Sequence, residues 1–152
     1  MRVFLADEAA TIDFAQRFLE HLPNAPAGWI VLLSGELGAG KSTFARALIR
    51  AAGHSGPVPS PTYTLVEPYV LPQASIYHID LYRVSSEDEL TFLGFNELDD
   101  GLRLVEWPER ASGLAGRADV ALVLSYAGNG REAELTGISE RGLVVVDALD
   151  QS

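Results

Sequence analysis

The sequence predicts an α/β fold, a central mixed and partly parallel sheet with flanking helices. Three observations carry that expectation. First, the apolar run Trp29-Ile30-Val31-Leu32-Leu33 leads into Gly35-Glu36-Leu37-Gly38-Ala39-Gly40-Lys41-Ser42, and an amphipathic helical pattern follows. This is G-x-x-x-x-G-K-[ST] in the context of strand, glycine-rich turn and helix that a phosphate-binding P-loop requires. Second, two later apolar runs end on acids, Ile76-Tyr77-His78-Ile79-Asp80 and Leu102-Arg103-Leu104-Val105-Glu106. Third, the runs 120–127 and 131–138 alternate around Gly128-Asn129-Gly130, a hairpin signal that adds antiparallel strands. Together they indicate a P-loop NTPase-like three-layer fold, built as a single domain over residues 1–152.

In chain order, residues 2–6 form a short strand and Asp7 caps a helix from about Glu8 to Leu22. Phe14, Phe18 and Leu22, with Ala15 and Leu19, share one face of it. Asp7 and Glu8 suit the positive end of that helix; a second reading places Glu8 near a nucleotide base. The loop 23–28 precedes strand 29–34, the P-loop and helix 42–52, whose Phe44, Ala45, Leu48 and Ile49 face inward and whose end is marked by Gly53. Arg46 and Arg50 lie four apart on its exposed side.

Pro57, Pro59 and Pro61 then forbid helix. Tyr63–Val70 and Ser75–Leu81 read as two strands joined by Leu71-Pro72-Gln73-Ala74, an antiparallel pair. Ser86 with Glu89 fits a capping box opening a helix to about Leu93, and one more helical turn fits 94–101. Pro108 stops the strand ending at Glu106 or starts a helix. Residues 143–149 are ambiguous, since Val144-Val145-Val146 favours strand.

The P-loop residues define the first candidate site. Gly35, Glu36, Leu37, Gly38, Ala39, Gly40, Lys41, Ser42 and Thr43 would bind nucleotide. Glycines let backbone N–H groups point inward, and the following helix presents its free N–H groups to the same phosphates. Lys41 would bridge the β- and γ-phosphates, and the Ser42 hydroxyl would ligate Mg²⁺. Lys41 is the only lysine in the chain. Ser60, Thr62 and Tyr63 sit in the loop after the P-loop helix; Thr62 is the candidate that senses the γ-phosphate and metal. Asp80 and Glu106 end their strands where open α/β sheets bind ligands, so both would converge on the magnesium beside Ser42. His78 shares a face with Asp80 and reads as a packing histidine. Trp107 reads as core packing or as a stacking and partner contact.

Composition bounds the function. The net charge is -10, with 21 acids against 11 bases, and the arginines are scattered. Proteins that grip nucleic acid unaided carry a basic face. Any RNA or DNA role would therefore run through another protein. There is no cysteine, hence no disulfide framework or thiolate chemistry. The N-terminus turns acidic at Asp7-Glu8, and no apolar run reaches the roughly 18 residues of a membrane span. The expectation is a soluble, cytoplasmic protein with no membrane contact.

The blocks 35–42, Ser-Pro-Thr-Tyr-Thr-Leu-Val-Glu at 60–67, His-Ile-Asp-Leu-Tyr-Arg at 78–83, Leu-Gly-Phe at 93–95 and Val-Glu-Trp-Pro-Glu at 105–109 together resemble the TsaE (YjeE) family, in order and spacing. The resemblance spans essentially the whole chain. It implies a bacterial ATPase, using ATP and Mg²⁺, that serves threonylcarbamoyl modification of the adenosine beside the anticodon of certain tRNAs. It implies joining a TsaB–TsaD complex, whose state the ATP cycle resets, with tRNA met only through those partners. It further implies that Ser42 and Glu106 hold magnesium, that Asp80 occupies a Walker B-like place near the metal or the attacking water, and that Thr62 belongs to a switch loop. Lys41, Asp80 and Glu106 are thus the catalytic candidates, and which carboxylate serves as base stays open. Ser42 stands where many members have Thr, and Pro59 where many have a basic residue.

Two other readings compete. A small-molecule P-loop kinase would use Arg83, Arg110, Arg117 and Arg131 to clamp an acceptor. A non-catalytic, nucleotide-gated adaptor would need no hydrolysis. A GTPase is disfavoured because Asn-Lys-x-Asp is absent.

Overall fold

The computed structural model describes residues 1–72 and 74–152. Its seven strands form one sheet in the order β1-β7-β6-β2-β5-β4-β3. These strands are β1 (Arg2–Leu5), β2 (Ile30–Gly35), β3 (Val66–Val70), β4 (Ser75–Asp80), β5 (Gly101–Glu106), β6 (Val120–Ala127) and β7 (Gly130–Gly137). The four central strands are mutually parallel, and β3, β7 and β1 add antiparallel edges. The mixed, partly parallel sheet is the expected one.

Period-two burial splits the apolar side chains between two layers. Val31, Leu33, Leu102, Leu104, Leu122 and Leu124 face helices α1 (Glu8–His21), α2 (Lys41–Ala51) and α4 (Glu140–Asp150). Phe14 and Phe18 of α1 meet Phe44 of α2, each with ring centroids 6.0 Å apart. On the other face, Ile30, Leu32, Ile79 and Val105 pack under α3 (Asp88–Phe92) and three 3-10 turns at Phe95–Leu98, Pro108–Arg110 and Ser112–Gly116.

Local chemistry sets the ends of these elements. Asp7 caps α1 by accepting the Ala10 N–H at 2.9 Å. Gly53 closes α2 in the left-handed region, donating to Arg50 O at 3.0 Å. Gly128-Asn129 is the two-residue turn between β6 and β7. Ser139 caps α4 through the Gly142 N–H, so the ambiguous segment 143–149 is helix. Its valines qualify because Val145, Val146 and Leu149 recur at helical spacing and bury against the core.

Two expectations are corrected. The strand expected from Tyr63 begins only at Val66. Residues 61–64 form a turn closed by the Leu65 N–H on Pro61 O at 2.7 Å, which leaves Leu65 at φ 69. The capping box at Ser86 is not made: α3 starts at Asp88 without a side-chain cap, and Glu89 accepts from Ser85 instead. The expectation at Pro108 holds: the strand ends at Glu106, and Pro108 opens a short 3-10 helix. Of the turn expected at 71–74, Gln73 lies outside the described residues. No helix among the described residues is long and apolar enough to cross a membrane.

Candidate functional site

The carboxyl ends of β2, β4 and β5 lie at one edge of the sheet, and the site is built there. The loop 35–40 leaves β2 and delivers α2. Gly35 turns at φ 145 with Leu124 O only 2.4 Å from where a Cβ would stand. No other residue fits that approach. Two carbonyls of the loop point outward and are held from behind. Tyr126 donates its hydroxyl to Leu37 O at 2.8 Å, and Arg131 donates to Gly38 O at 3.1 Å. Both braces come from the β6–β7 hairpin, which reaches the same edge because β6 runs parallel to β2. Those two carbonyls are thus committed to the hairpin, while within the loop the Ala39 N–H donates to Glu36 O at 3.0 Å. Helix α2 begins after Gly40 with no side-chain cap, and its first N–H groups stay open.

Lys41 is buried at 5% exposure, yet its ammonium forms no ion pair among the described residues. It donates to Gly35 O at 2.5 Å and lies 3.7 Å from the centre of the Trp107 ring. Desolvation lowers its pKa, and Glu106, Glu109 and Asp80 pull it back up in part. A desolvated cation beside open backbone donors is the complement of a phosphate.

Asp80 and Glu106 are direct register partners on adjacent parallel strands, both buried and on the face that α2 covers. Their hydrogen bonding differs. Asp80 accepts the Tyr82 N–H at 2.8 Å and the Thr62 hydroxyl at 3.3 Å, one on each oxygen. Thr62 in turn meets Ser60 Oγ at 2.8 Å, so the loop after α2 is fastened to the end of β4. Glu106 meets only His78, through Oε2. Its Oε1 accepts no hydrogen bond among the described residues.

These groups share one cleft of about 260 Å³ lined by Leu37, Gly38, Gly40, Lys41, Ser42, Thr43, Ser60, Thr62, Asp80 and Glu106 together with Tyr82 and Trp107. Of the expected residues that do not line it, Ala39 is buried within the loop, Gly35 is half-buried and Glu36 is exposed. Tyr63 points away at 83% exposure, against Arg83. Glu8 lines an adjoining cavity with Gly38, Gly40, Thr43 and Arg131. Trp107 packs on the core, the first of its two readings, and its ring also carries the Lys41 ammonium. Among the described residues two non-glycines have positive φ: Trp107, which lines the cleft, and Leu65, whose carbonyl accepts the Asp80 N–H at 2.9 Å; such local strain commonly collects at functional sites. The four arginines of the kinase reading do not gather. Arg117 lies at the far, amino end of β6 and bonds Asn96, while Arg131 braces the P-loop.

The donor set fits a nucleotide-bound magnesium. Mg²⁺ takes one or two carboxylates plus phosphate oxygens and water rather than an all-protein cage. Among the described residues no three His, Cys, Asp or Glu side chains form such a cage. What the cleft offers is a serine hydroxyl and two carboxylates opposite the phosphate cradle.

Sequence reasoning passed over Tyr82 and Tyr126 and the contact between His78 and Glu106. Of these only His78 carried a signal: two residues before Asp80 in a strand, it had to share that face.

Residues 5–133 match the family described as threonylcarbamoyl adenosine biosynthesis protein TsaE. The tRNA threonylcarbamoyladenosine biosynthesis protein TsaE of Haemophilus influenzae is 36% identical over 149 residues, covering 95% of this chain and 94% of that protein. The protein of the same name from Borreliella burgdorferi is 37% identical, covering 86% and 95%. The crystal structure of Bacillus subtilis YdiB superimposes with a TM-score of 0.80 at 24% identity, over 99% of this chain and 94% of that one, a likeness of fold.

Proposed function

The chain belongs to the TsaE family, and from that premise we propose that it is a magnesium-dependent ATPase of the tRNA threonylcarbamoyladenosine modification machinery, acting with a TsaB–TsaD complex. The observation that carries the reading is the cleft itself. A buried lysine without a carboxylate partner sits between an open P-loop and two register-paired acids.

The chain's own groups divide the work. The N–H groups of the loop and of the first turn of α2 bind the phosphates, and Lys41 neutralises them. Ser42 and Glu106, whose Oε1 is uncommitted, would hold the magnesium. That ion, when bound, screens the charge on the phosphates and polarises the transferring group. Asp80 is assigned to orient and deprotonate the attacking water. Because Asp80 also holds Thr62, the Ser60–Thr62 loop is coupled to the same carboxylate that would act on water. The net charge of -10 supports a reading in which the partners, not this chain, would hold the tRNA. The reading places the protein in the cytoplasm.

The test is reconstitution. Purified TsaB–TsaD, tRNA and this chain are assayed for multiple rounds of modification with ATP or a non-hydrolysable analogue. Hydrolysis should be feeble alone and rise with the partners, and turnover should need ATP. Equal turnover with the analogue, or phosphate appearing on a metabolite instead of in solution, would overturn the reading.

A further inference from the structure

Lys41 has three acids close enough to raise its pKa, yet it pairs with none of them. In a cleft of low dielectric a mobile glutamate should collapse onto a buried ammonium, since opposite charges attract strongly there. Such a pair would use up both groups that the nucleotide needs. Something therefore holds Glu106 back.

The structure assigns that task to His78. We propose that His78 is the positioning residue for Glu106: it withholds the carboxylate from Lys41 and presents the free Oε1 to magnesium. This rests on the functional reading above.

The geometry is specific. His78 and Asp80 project from β4 on the face that carries Glu106 on β5, and the register sets His78 against Leu104, one side-chain step below Glu106. The ring is buried at 1% exposure, and Nε2 meets Glu106 Oε2 at 2.5 Å. Nδ1 has no hydrogen-bond partner among the described residues. Facing a carboxylate, Nε2 carries the hydrogen and donates it; a hydrogen on Nδ1 would be buried with no acceptor. The imidazole is thus a one-armed tether, fixed by packing and aimed at a single oxygen. Lys41 is tethered separately on Gly35 O and the Trp107 ring. Outer partners of metal-binding carboxylates orient them in this way.

Amide side chains test the tether by reach. The Gln amide nitrogen extends about as far as Nε2, whereas the Asn nitrogen corresponds in position to Nδ1. A non-hydrolysable ATP analogue is held at fixed concentration and its binding is titrated with Mg²⁺, alongside binding in EDTA. His78→Ala should raise the Mg²⁺ needed by about 10- to 100-fold, the usual cost of losing an outer-shell partner. Residual metal-free binding should also weaken, as Glu106 moves onto Lys41. His78→Gln should restore the wild-type Mg²⁺ dependence, and His78→Asn should behave like Ala. In a Glu106→Ala background the His78 substitutions should have no further effect. Wild-type Mg²⁺ dependence in folded His78→Ala overturns the proposal, as does equal rescue by Asn and Gln. If the Ala variant fails to fold, the contrast between Gln and Asn decides alone. A wild-type protein with no Mg²⁺-dependent nucleotide binding overturns the functional reading itself, and this inference with it.

Discussion

Asp80→Asn separates the two duties that the cleft gives this residue. Asp80 accepts the Tyr82 N–H on Oδ1 and the Thr62 hydroxyl on Oδ2. The Tyr82 N–H can only donate, so the Asn carbonyl must take that side. The Asn amide then donates to Thr62 Oγ1, which accepts it by turning its own hydrogen toward Ser60. Both bonds survive in altered form. One of two neighbouring buried anions is also removed, which relieves repulsion with Glu106. The stability change should stay within about 1 kcal/mol, a shift of at most roughly 2–4 °C in Tm for a chain of this size. Asp80→Ala instead loses both bonds and leaves the part-buried Tyr82 N–H without its acceptor. That should cost about 1–2 kcal/mol, the low end for an orphaned donor, because cleft water reaches it. Catalysis should not follow this order. Both variants lose the carboxylate, and losing a positioned base lowers single-turnover hydrolysis by about 10²–10⁴-fold. The assays are thermal unfolding and phosphate release in the presence of TsaB–TsaD. Hydrolysis by Asp80→Asn at the wild-type rate would refute the role given to the carboxylate. Equal destabilisation by Asn and Ala would refute the hydrogen-bond argument.

Lys41→Ala should abolish the heat of ATP–Mg²⁺ binding in calorimetry with little loss of stability, because the desolvation it relieves offsets the lost Gly35 O bond and Trp107 contact, and no ion pair is lost among the described residues; binding of wild-type strength would contradict this. Phe44→Ala removes the ring that joins α1 to α2 and should cost about 3–5 kcal/mol by urea denaturation. Asp119→Asn should destabilise the fold by about 1–3 kcal/mol at neutral pH, since either amide orientation sets an N–H against an N–H of Arg141. Burial pushes the Asp119 carboxyl up, but bonds from Arg141, Ser139 and the Ile30 N–H outweigh burial and hold its pKa below the ordinary value. The stability it contributes is therefore complete above the unfolded value near ~3.9 and is lost as the pH falls through the lower folded value. The gap between wild type and Asp119→Asn in urea titrations should close below about pH 4.

The parts legible in the sequence are those whose chemistry is contiguous. The P-loop needs eight consecutive residues, and each strand-end acid needs only its own strand. What stayed hidden depends on partners far along the chain. Ser86 reads as a cap, but Glu87 beside it is drawn to Ser112 and the Gly113 N–H, and α3 starts later. Tyr63-Thr64-Leu65 has strand-forming residues, yet Pro61 closes a turn that hands Thr62 to Asp80. Asp119 gave no signal, although its carboxylate joins β2, β6 and α4, because Ile30 is 89 residues away. The hairpin braces on Leu37 and Gly38 were equally invisible, since Tyr126 and Arg131 follow them by 89 and 93 residues.

On the proposed reading, the paired acids also explain why a chain of net charge -10 can still take a triphosphate. Charges beyond roughly 10 Å are largely screened at 0.1 M salt, so the overall excess of acids decides little at the cleft. The near charges decide it. Lys41 and the loop N–H groups attract phosphate, whereas Asp80 and Glu106 stand side by side against it. Without a divalent ion, two buried carboxylates and a polyphosphate share one small cleft, and like charges in such a site are strongly unfavourable. The same acids that would serve hydrolysis should therefore make binding itself depend on magnesium. Removing either acid should weaken that dependence and raise metal-free affinity. Hence the metal response of binding, rather than affinity alone, reports whether the two acids work as a pair.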